Sequence, residues 1–236
     1  MFITKDNIDT YCKEPEIFND LLDLDNKHIL ELGCGKADLT RNIASTGINR
    51  KVTAFEIDEI QHDENIKITD LPNVAFKHGA AEKIAEEDNN ADVVFMFKSL
   101  HHVPIDQMPV AFSEIHRVLN ENGFLYVSEP IFAGEFNEIL RLFHNEEAVR
   151  NAAFQAEKEA VASGKFKLIK QVFFNSPMHF EDFAAFEELI LGVTHTDFVL
   201  SPETFKEVKT KFEQHNGADG AHFNMPIRVD LFQVTK

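Results

Sequence analysis

Among 236 residues, 40 acidic side chains stand against 23 basic ones, a formal net charge of −17. Such a surface repels phosphate backbones and anionic lipid, so a nucleic-acid substrate would need a strong local basic patch. None is evident: the densest basic stretch, Lys165, Lys167 and Lys170, is interrupted by Phe166, Leu168 and Ile169. It reads as the wet face of a strand, with Lys170 out of strict alternation.

The length suits one large domain, or one domain with an elaborated cap. No apolar run approaches a membrane span, and the charged start MFITKDNIDTYCKEPE does not read as a signal peptide. Two cysteines, Cys12 and Cys34, make no disulfide framework, so a reducing, cytoplasmic setting is expected. Twenty-three phenylalanines without a tryptophan are unusual; most must be core, with a surplus available to line an aromatic pocket.

Residues 1–26 carry an interrupted helical pattern (Ile8, Tyr11, Ile17, Phe18, Leu21, Leu22), which predicts one or two short helices packed beside or over the loop of Gly33 and Gly35. From residue 27, short apolar runs alternate with helical ones. Strands are predicted at 28–32, 51–56, 74–77, 92–97 and 123–128. Between the last two a helix is predicted, capped by Asp106, with Pro109 in its first turn and a turn at Asn122–Gly123 closing the connection. Largely apolar strands alternating with helices predict an α/β fold, a doubly wound parallel sheet covered on both faces. The second half is less regular: helix over 134–164, a β-like run at 166–174, helix at 181–192, a helix starting at Ser201–Pro202, and an alternating final strand around Ile227, Val229 and Leu231. The organisation expected is a lid (1–26), a core (27–130), a cap insertion (131–200) and a closing helix and strand (201–236), all in one domain.

The segment HILELGCGKADLT, residues 28–40, carries the most chemistry. An apolar strand passes through Glu31 into Gly33 and Gly35 and then a helix, the way a buried parallel strand turns beneath a nucleotide. The third glycine of a dinucleotide fingerprint would fall at position 38, which is Asp38. A carboxylate at that helix start repels a pyrophosphate. The loop therefore suits a nucleotide-like ligand without phosphates, of which S-adenosylmethionine is the common one. About twenty residues on, the second strand ends in Glu56, whose two oxygens can bind a ribose diol bidentately. Asp58 is the rival, but strand register favours Glu56.

HILELGCGKADLT, VTAFEID, FKHGAAEKI, VVFMFKSLHHVP and IHRVLNENGFLYVSEP follow one another as in class I S-adenosylmethionine-dependent methyltransferases. Over residues 28–130 the chain resembles that superfamily, and in flavour its small-molecule, quinone-biosynthesis group; the closing MPIRVDLFQV is similar too. The resemblance implies a Rossmann-like sheet, mostly parallel with an antiparallel C-terminal strand, plus a helical cap. It implies that Glu31 and the Gly33–Cys34–Gly35 backbone hold the methionine end of the cofactor. Glu56 would take the ribose, Ile57 the adenine face, and Ala80, Ala81 and Glu82 the adenine edge. Phe97 and Lys98 would pass beneath the methionine. Two positions depart from the pattern. Ala37 replaces a frequent glycine, which is tolerable where no phosphate approaches. Ala80 replaces the aspartate that commonly binds the adenine amino group.

Methyl transfer from a sulfonium is an in-line displacement in which positioning supplies much of the rate, and a base is needed only if the acceptor must lose a proton. The candidates are His101, His102 and Glu129 on loops after strands, and Tyr11 closing over the site. Each has a plainer reading: a histidine bracing its loop, Glu129 pairing with a basic group such as Arg228, Tyr11 as a packing residue. The remaining histidines, His195 among them, are scattered without metal-ligand spacing, and no metal is expected. Phe132, Phe136, Phe143, Phe154 and Phe173 are pocket-lining candidates, or core. Partners expected are a small-molecule acceptor and at most a second copy of the chain, a homodimer; no nucleic acid and no membrane span. The competing readings are methylation of RNA or a protein, and a cofactor-binding sensor or accessory protein without transfer activity.

Overall fold

The computed structural model describes residues 1–194, 196 and 198–236. Helix α1 (Glu14–Leu21) starts at Pro15 in its first turn, and the Glu16 side chain turns back to accept the Lys13 N–H at 2.8 Å. The alternating core then runs β1 (His28–Leu32), α2 (Asp38–Ser45), β2 (Lys51–Glu56), α3 (Glu59–Asn65), β3 (Val74–His78), β4 (Ala91–Phe97), α4 (Met108–Val118) and β5 (Leu119–Pro130). The second half adds α5 (Glu135–Leu140), α6 (Glu147–Ala162), β6 (Phe166–Phe180), α7 (Phe183–Phe186) and α8 (Pro202–Glu213). A hairpin of β7 (Asn216–Gly217) and β8 (Gly220–Val234) closes the chain.

The strands order as β3-β2-β1-β4-β5-β8-β6, with β7 on β8. Neighbours from β3 to β5 are parallel, and β8 lies antiparallel between β5 and β6. This is the mostly parallel, Rossmann-like sheet with an antiparallel C-terminal strand that the sequence predicts. Chain order reverses between β1 and β4, so a crevice opens at their carboxyl ends, where ligands of such sheets bind.

Pleating divides the core by alternation. Leu30, Leu32, Val94, Met96, Leu125 and Val127 face α4 and α6, while Ile29, Val93, Phe95 and Tyr126 face α1 and α2 through Phe18 and Ile43. A third cluster, built on Phe136, Phe180, Phe183, Phe186, Phe212 and Phe223, joins α5, α7 and α8 to the ends of β6 and β8. Much of the phenylalanine surplus is used there, with rings meeting edge-to-face or stacked.

Several sequence expectations change. Residues 166–180, counted within the 131–200 cap, form the edge strand of the sheet; the cap is the helical material on either side. A register shift between Leu168 and Lys170 leaves Ile169 exposed, and this bulge is why Lys170 falls out of alternation. Asp106 is not the cap of α4: it lies in a 3-10 turn (Ile105–Gln107), and Gln107 precedes the helix. Strand β5 begins at Leu119, paired with Ala91, so Asn122–Gly123 lies inside it rather than before it. The helix predicted over 134–164 is two helices, and the break between them carries His144 and Glu146. Asn145 accepts the Glu147 N–H at 3.0 Å and so starts the second of the two.

Candidate active site

The turn after β1 is held by backbone conformation and by neighbours on three sides. Gly33 and Gly35 have φ of +79° and +51°. A Cβ on Gly33 would stand 2.7 Å from Ser99 Cβ, whereas one on Gly35 would meet nothing within 4 Å. Gly33 is thus closed off by the protein, and Gly35 faces open space. Ser99 Oγ donates to the Leu32 carbonyl at 2.7 Å, and Asn65 Nδ2 donates to the Gly35 carbonyl at 2.7 Å. Neither bracing residue was legible in the sequence, because each comes from an element folded in from elsewhere. Ala37 also adopts left-handed backbone, φ +62°. A glycine there would therefore be a conformational preference, and alanine costs about 1–2 kcal/mol at such a position.

Glu31 and Glu56 flank this turn. Glu56 Oε2 accepts the Gly35 N–H at 2.7 Å, and Oε1 accepts the Ile57 and Asp58 N–H groups at 2.8 and 2.9 Å. The carboxylate that ends β2 and the glycine turn that ends β1 are one hydrogen-bonded unit. Glu31 is buried and accepts from Thr40 Oγ1 at 2.6 Å. Burial, helped by the charges of Glu56 and Asp38 and opposed by Thr40, pushes its carboxyl up to about 8. A cation placed beside it would be met by a group ready to ionise. Burial likewise pushes the Cys34 thiol far up, so it is inert in this turn.

Ile57 is exposed on the rim beyond β2, and His78 Nε2 lies 2.9 Å from the Ile57 carbonyl. Ala80, Ala81 and Glu82 form the turn after β3, where the Lys83 N–H closes onto Ala80; Ala81 is buried. Phe97 ends β4 in the core, stacked on Phe95, and Lys98 follows with φ +54°, donating its N–H to the Ser128 carbonyl at 2.7 Å. The sheet thus gathers the turns carrying the cofactor candidates along one edge.

His101 is buried in the turn after β4 between two carboxylates. Its Nδ1 meets Glu129 Oε2, and its Nε2 lies 3.4 Å from Glu146 Oε1. Burial opposes its charge, but Glu129 and then Glu146 outweigh burial and hold the imidazole up at about 9. The Glu146 carboxyl is depressed well below the usual range: burial works against this, and His101 and Arg150 prevail. Glu129 is also held low by His101, against burial. Its Oε1 accepts the Leu100 N–H at 2.9 Å. The expectation that Glu129 pairs with Arg228 is corrected: the two face each other across β5 and β8, but Arg228 bonds to Glu157 and Asp230. His102 is exposed beside His101, ring centroids 4.1 Å apart. Tyr11 is exposed rather than packed and bridges Asn175 on the edge strand β6, four strands from β1.

A cleft of about 390 Å³ opens beside this cluster, lined by Phe143, His144, Phe198 and Ser201 among others. Of the phenylalanines proposed for a pocket, Phe143 lines it. Phe136 is in the third core cluster, and the buried Phe154 lies under the Arg228 guanidinium at 4.5 Å. Phe132 lies near two guanidinium groups, those of Arg141 and Arg150, and Phe173 is half-buried in β6. His195 lies outside the described residues. Thr194 Oγ1 donates to Asp58 Oδ2, so Thr194, which lies between α7 and α8, reaches the rim beyond β2. A larger cleft, about 830 Å³ and lined by Lys27, Asn89, Asp92 and Asn120, lies at the amino edge of β4 and β5, away from the glycine turn.

The fold is a Rossmann-like sheet whose candidate site lies at the carboxyl edge where the strand order reverses. Residues 29–123 match the family model described as a methyltransferase domain. The demethylmenaquinone methyltransferase of Alkalihalophilus pseudofirmus is 32% identical over 100 residues, 41% of this chain and 42% of the relative. An uncharacterized methyltransferase of Mycobacterium bovis is 30% identical over 112 residues, 47% of this chain and 43% of the relative. The chain therefore spans less than half the length of these relatives. The crystal structure of the YcgJ protein from Bacillus subtilis shares the fold throughout, with a TM-score of 0.65 at 13% identity over 94% of this chain and 97% of that one.

Proposed function

We propose that this chain transfers the methyl group of S-adenosylmethionine to a small-molecule acceptor. The observation that carries this reading is the unit formed by Gly35 and Glu56. A left-handed glycine with open space before it is bonded to a carboxylate at the end of the neighbouring strand, at the point where the sheet reverses. That arrangement fits a nucleoside with a free ribose diol. Asp38 opens α2 with its charge exposed, which disfavours a pyrophosphate in the same place.

On this reading Glu56 orients the ribose, Ile57 packs on the adenine, and the turn Ala80–Glu82 borders its edge. Glu31 with the backbone of Gly33, Cys34 and Gly35 takes the amino and carboxylate groups of the methionine end. Phe97 and Lys98 run beneath it. The cofactor supplies an activated methyl group on a sulfonium, and the remaining work is alignment and exclusion of water. His101, clamped by Glu129 and Glu146, positions the turn after β4, and the exposed His102 beside it is the candidate to accept a proton from the acceptor. Tyr11 belongs to the lid segment over the far edge.

The acceptor reading rests on the cleft beside His144, whose size and aromatic lining suit a small organic molecule. The charge of −17 and the lack of a basic patch weigh against RNA. Among the described residues no helix is long and apolar enough to cross a membrane. The test has two steps. Thermal unfolding is followed with S-adenosylmethionine, its demethylated product and NAD; stabilisation by NAD alone would overturn the cofactor. Incubation with a metabolite extract then yields demethylated cofactor and a product heavier by one methyl group. A chain that binds the cofactor but never demethylates it is a sensor or accessory protein instead.

A further inference from the structure

We infer that His101, His102 and Glu146 form a binding site for one divalent transition-metal ion on the acceptor side of the cofactor edge. One ligand atom from each lies within 4.8 Å of the others. Ligands around a tetrahedral ion bound at the usual distances are about 3.3 Å apart, and His101 Nε2 already stands 3.4 Å from Glu146 Oε1.

The surrounding bonds choose which atoms remain for an ion. Glu129 holds His101 Nδ1, so the Nε2 atom is the one turned toward Glu146, and an ion bound there takes the place of the Nε2 proton, which leaves to solvent. A carboxylate behind a histidine in this way fixes the ring and raises its strength as a ligand. Arg150 Nη2 holds Glu146 Oε2 at 2.5 Å, which leaves Oε1 facing His101. His144 Nε2 lies 2.9 Å from the same Oε1 at the mouth of the aromatic cleft. It would be the next ligand, or would give way to one. His101 and Glu146 are buried and His102 is exposed, so the site is preformed on one side and open on the other. Two or three imidazoles with one carboxylate suit zinc, cobalt or iron over magnesium or calcium, which prefer all-oxygen sites.

The sequence conceals this set because its members are distant: His101 and His102 follow β4, while Glu146 sits in the break between α5 and α6. An ion here would hold an oxygen of the acceptor and lower the pKa of its proton, with His102 as ligand rather than base. That role rests on the methyl-transfer reading above; the metal site itself does not.

The test is calorimetric titration of the metal-stripped full chain with Zn²⁺, and optical titration with Co²⁺. S-adenosylmethionine binding is measured on the same preparation. One equivalent is expected, with visible cobalt absorption and at least about tenfold weaker binding in His102→Ala and in Glu146→Gln. His116→Ala, whose Nε2 lies 3.0 Å from the Thr235 carbonyl, is the control and should bind as the unaltered chain does. Because His102 is exposed, its variant keeps the fold testable if Glu146→Gln destabilises it. No binding, or binding unchanged in both variants, overturns the inference. S-adenosylmethionine binding without metal binding removes the metal site and leaves the methyl-donor reading standing; the reverse result removes that reading and leaves the site.

Discussion

Gly35 donates its backbone N–H to Glu56 Oε2 at 2.7 Å, tying the turn after β1 to the last side chain of β2. The other oxygen of Glu56 takes two more backbone N–H groups, so an acceptor-only side chain is required there. Glu56→Gln would set an amide NH₂ against one of these donors. Affinity for S-adenosylmethionine should fall at least about tenfold, or about 1.4 kcal/mol. Stability should drop by about 1–3 kcal/mol from the mismatched donors. Calorimetry and denaturant unfolding measure the two separately. A folded variant with unchanged affinity would show that Glu56 does not carry the ribose.

The two glycines of the turn should respond differently to alanine. At Gly33 the new Cβ would fall 2.7 Å from Ser99 Cβ in addition to the cost of φ +79°. At Gly35 only the backbone cost applies, since the space is open. Gly35→Ala should lose about 1–2 kcal/mol, and Gly33→Ala about 1–3 kcal/mol more as Ser99 is displaced. Cofactor binding should weaken in both, in Gly35→Ala because the methyl occupies the ligand's space. Equal stabilities for the two variants would contradict this account.

How far the sequence reveals these sites depends on the distance between cooperating residues. Glu31, Gly33, Gly35 and Glu56 were legible because a strand-turn-helix unit and the strand after it carry them in a short span of chain. The parallel core was legible for the same reason: apolar periodicity changes with each element. The cluster around His101 was not. Its carboxylates come from β5 and from a helix break that 134–164 hides under continuous helical periodicity. Strand β6 was seen over 166–174 and missed over 175–180, where Asn175, Ser176 and Pro177 read as a turn. Asn65 and Ser99 give no sign at all, since polar residues near element ends are common and only the fold shows which carbonyl each one reaches.

Glu31 makes the apo protein sensitive to pH in a defined direction. Its carboxyl titrates near 4.5 when unfolded and near 8 when folded. Between those values the native state keeps a proton that the unfolded chain has lost, so stability falls as pH rises through this window. Glu31→Gln retains an oxygen for Thr40 and has no proton to lose. Its stability should therefore exceed that of the unaltered chain by a margin that grows from pH 5 to pH 8. Denaturant unfolding at several pH values checks this. A margin constant with pH would mean that Glu31 is already ionised in the apo protein.

Arg228 lies buried between Glu157, 3.0 Å away, and Asp230, 2.5 Å away, both fully buried. Burial, with Asp230 beside it and Arg228 opposing, pushes the Glu157 carboxyl well up. One guanidinium therefore supports two acids, and Gln171 bonds the second at 2.6 Å. Arg228→Met keeps much of the volume above Phe154 and removes the charge. A loss of about 3–5 kcal/mol is expected from the buried Asp230 carboxylate left without its guanidinium. The double variant Arg228→Met with Asp230→Asn should recover part of it, because one buried charge is then gone. No recovery would assign the loss to packing on Phe154 rather than to charge.

Glu14 fastens the N-terminal segment to the sheet from inside. It opens α1 and is buried, accepting from Tyr126 Oη at 2.6 Å and from Ser128 Oγ at 2.9 Å, both on β5. Burial pushes the Glu14 carboxyl up even though both hydroxyls pull it down, so the pair of hydrogen bonds only partly offsets desolvation. Tyr126→Phe removes one bond and leaves the ring in its place among Phe18, Phe95 and Phe97. Global stability should fall by about 1–3 kcal/mol, the cost of a buried acceptor left short of a donor. The local effect should be larger: amides of residues 14–21 should exchange faster relative to those of β1 and β4, because α1 rests on this anchor and on Phe18. Hydrogen exchange resolved by segment measures the ratio. If exchange in α1 and β4 accelerates equally, α1 belongs to the global unfolding unit, and residues 1–26 do not move as a separate lid.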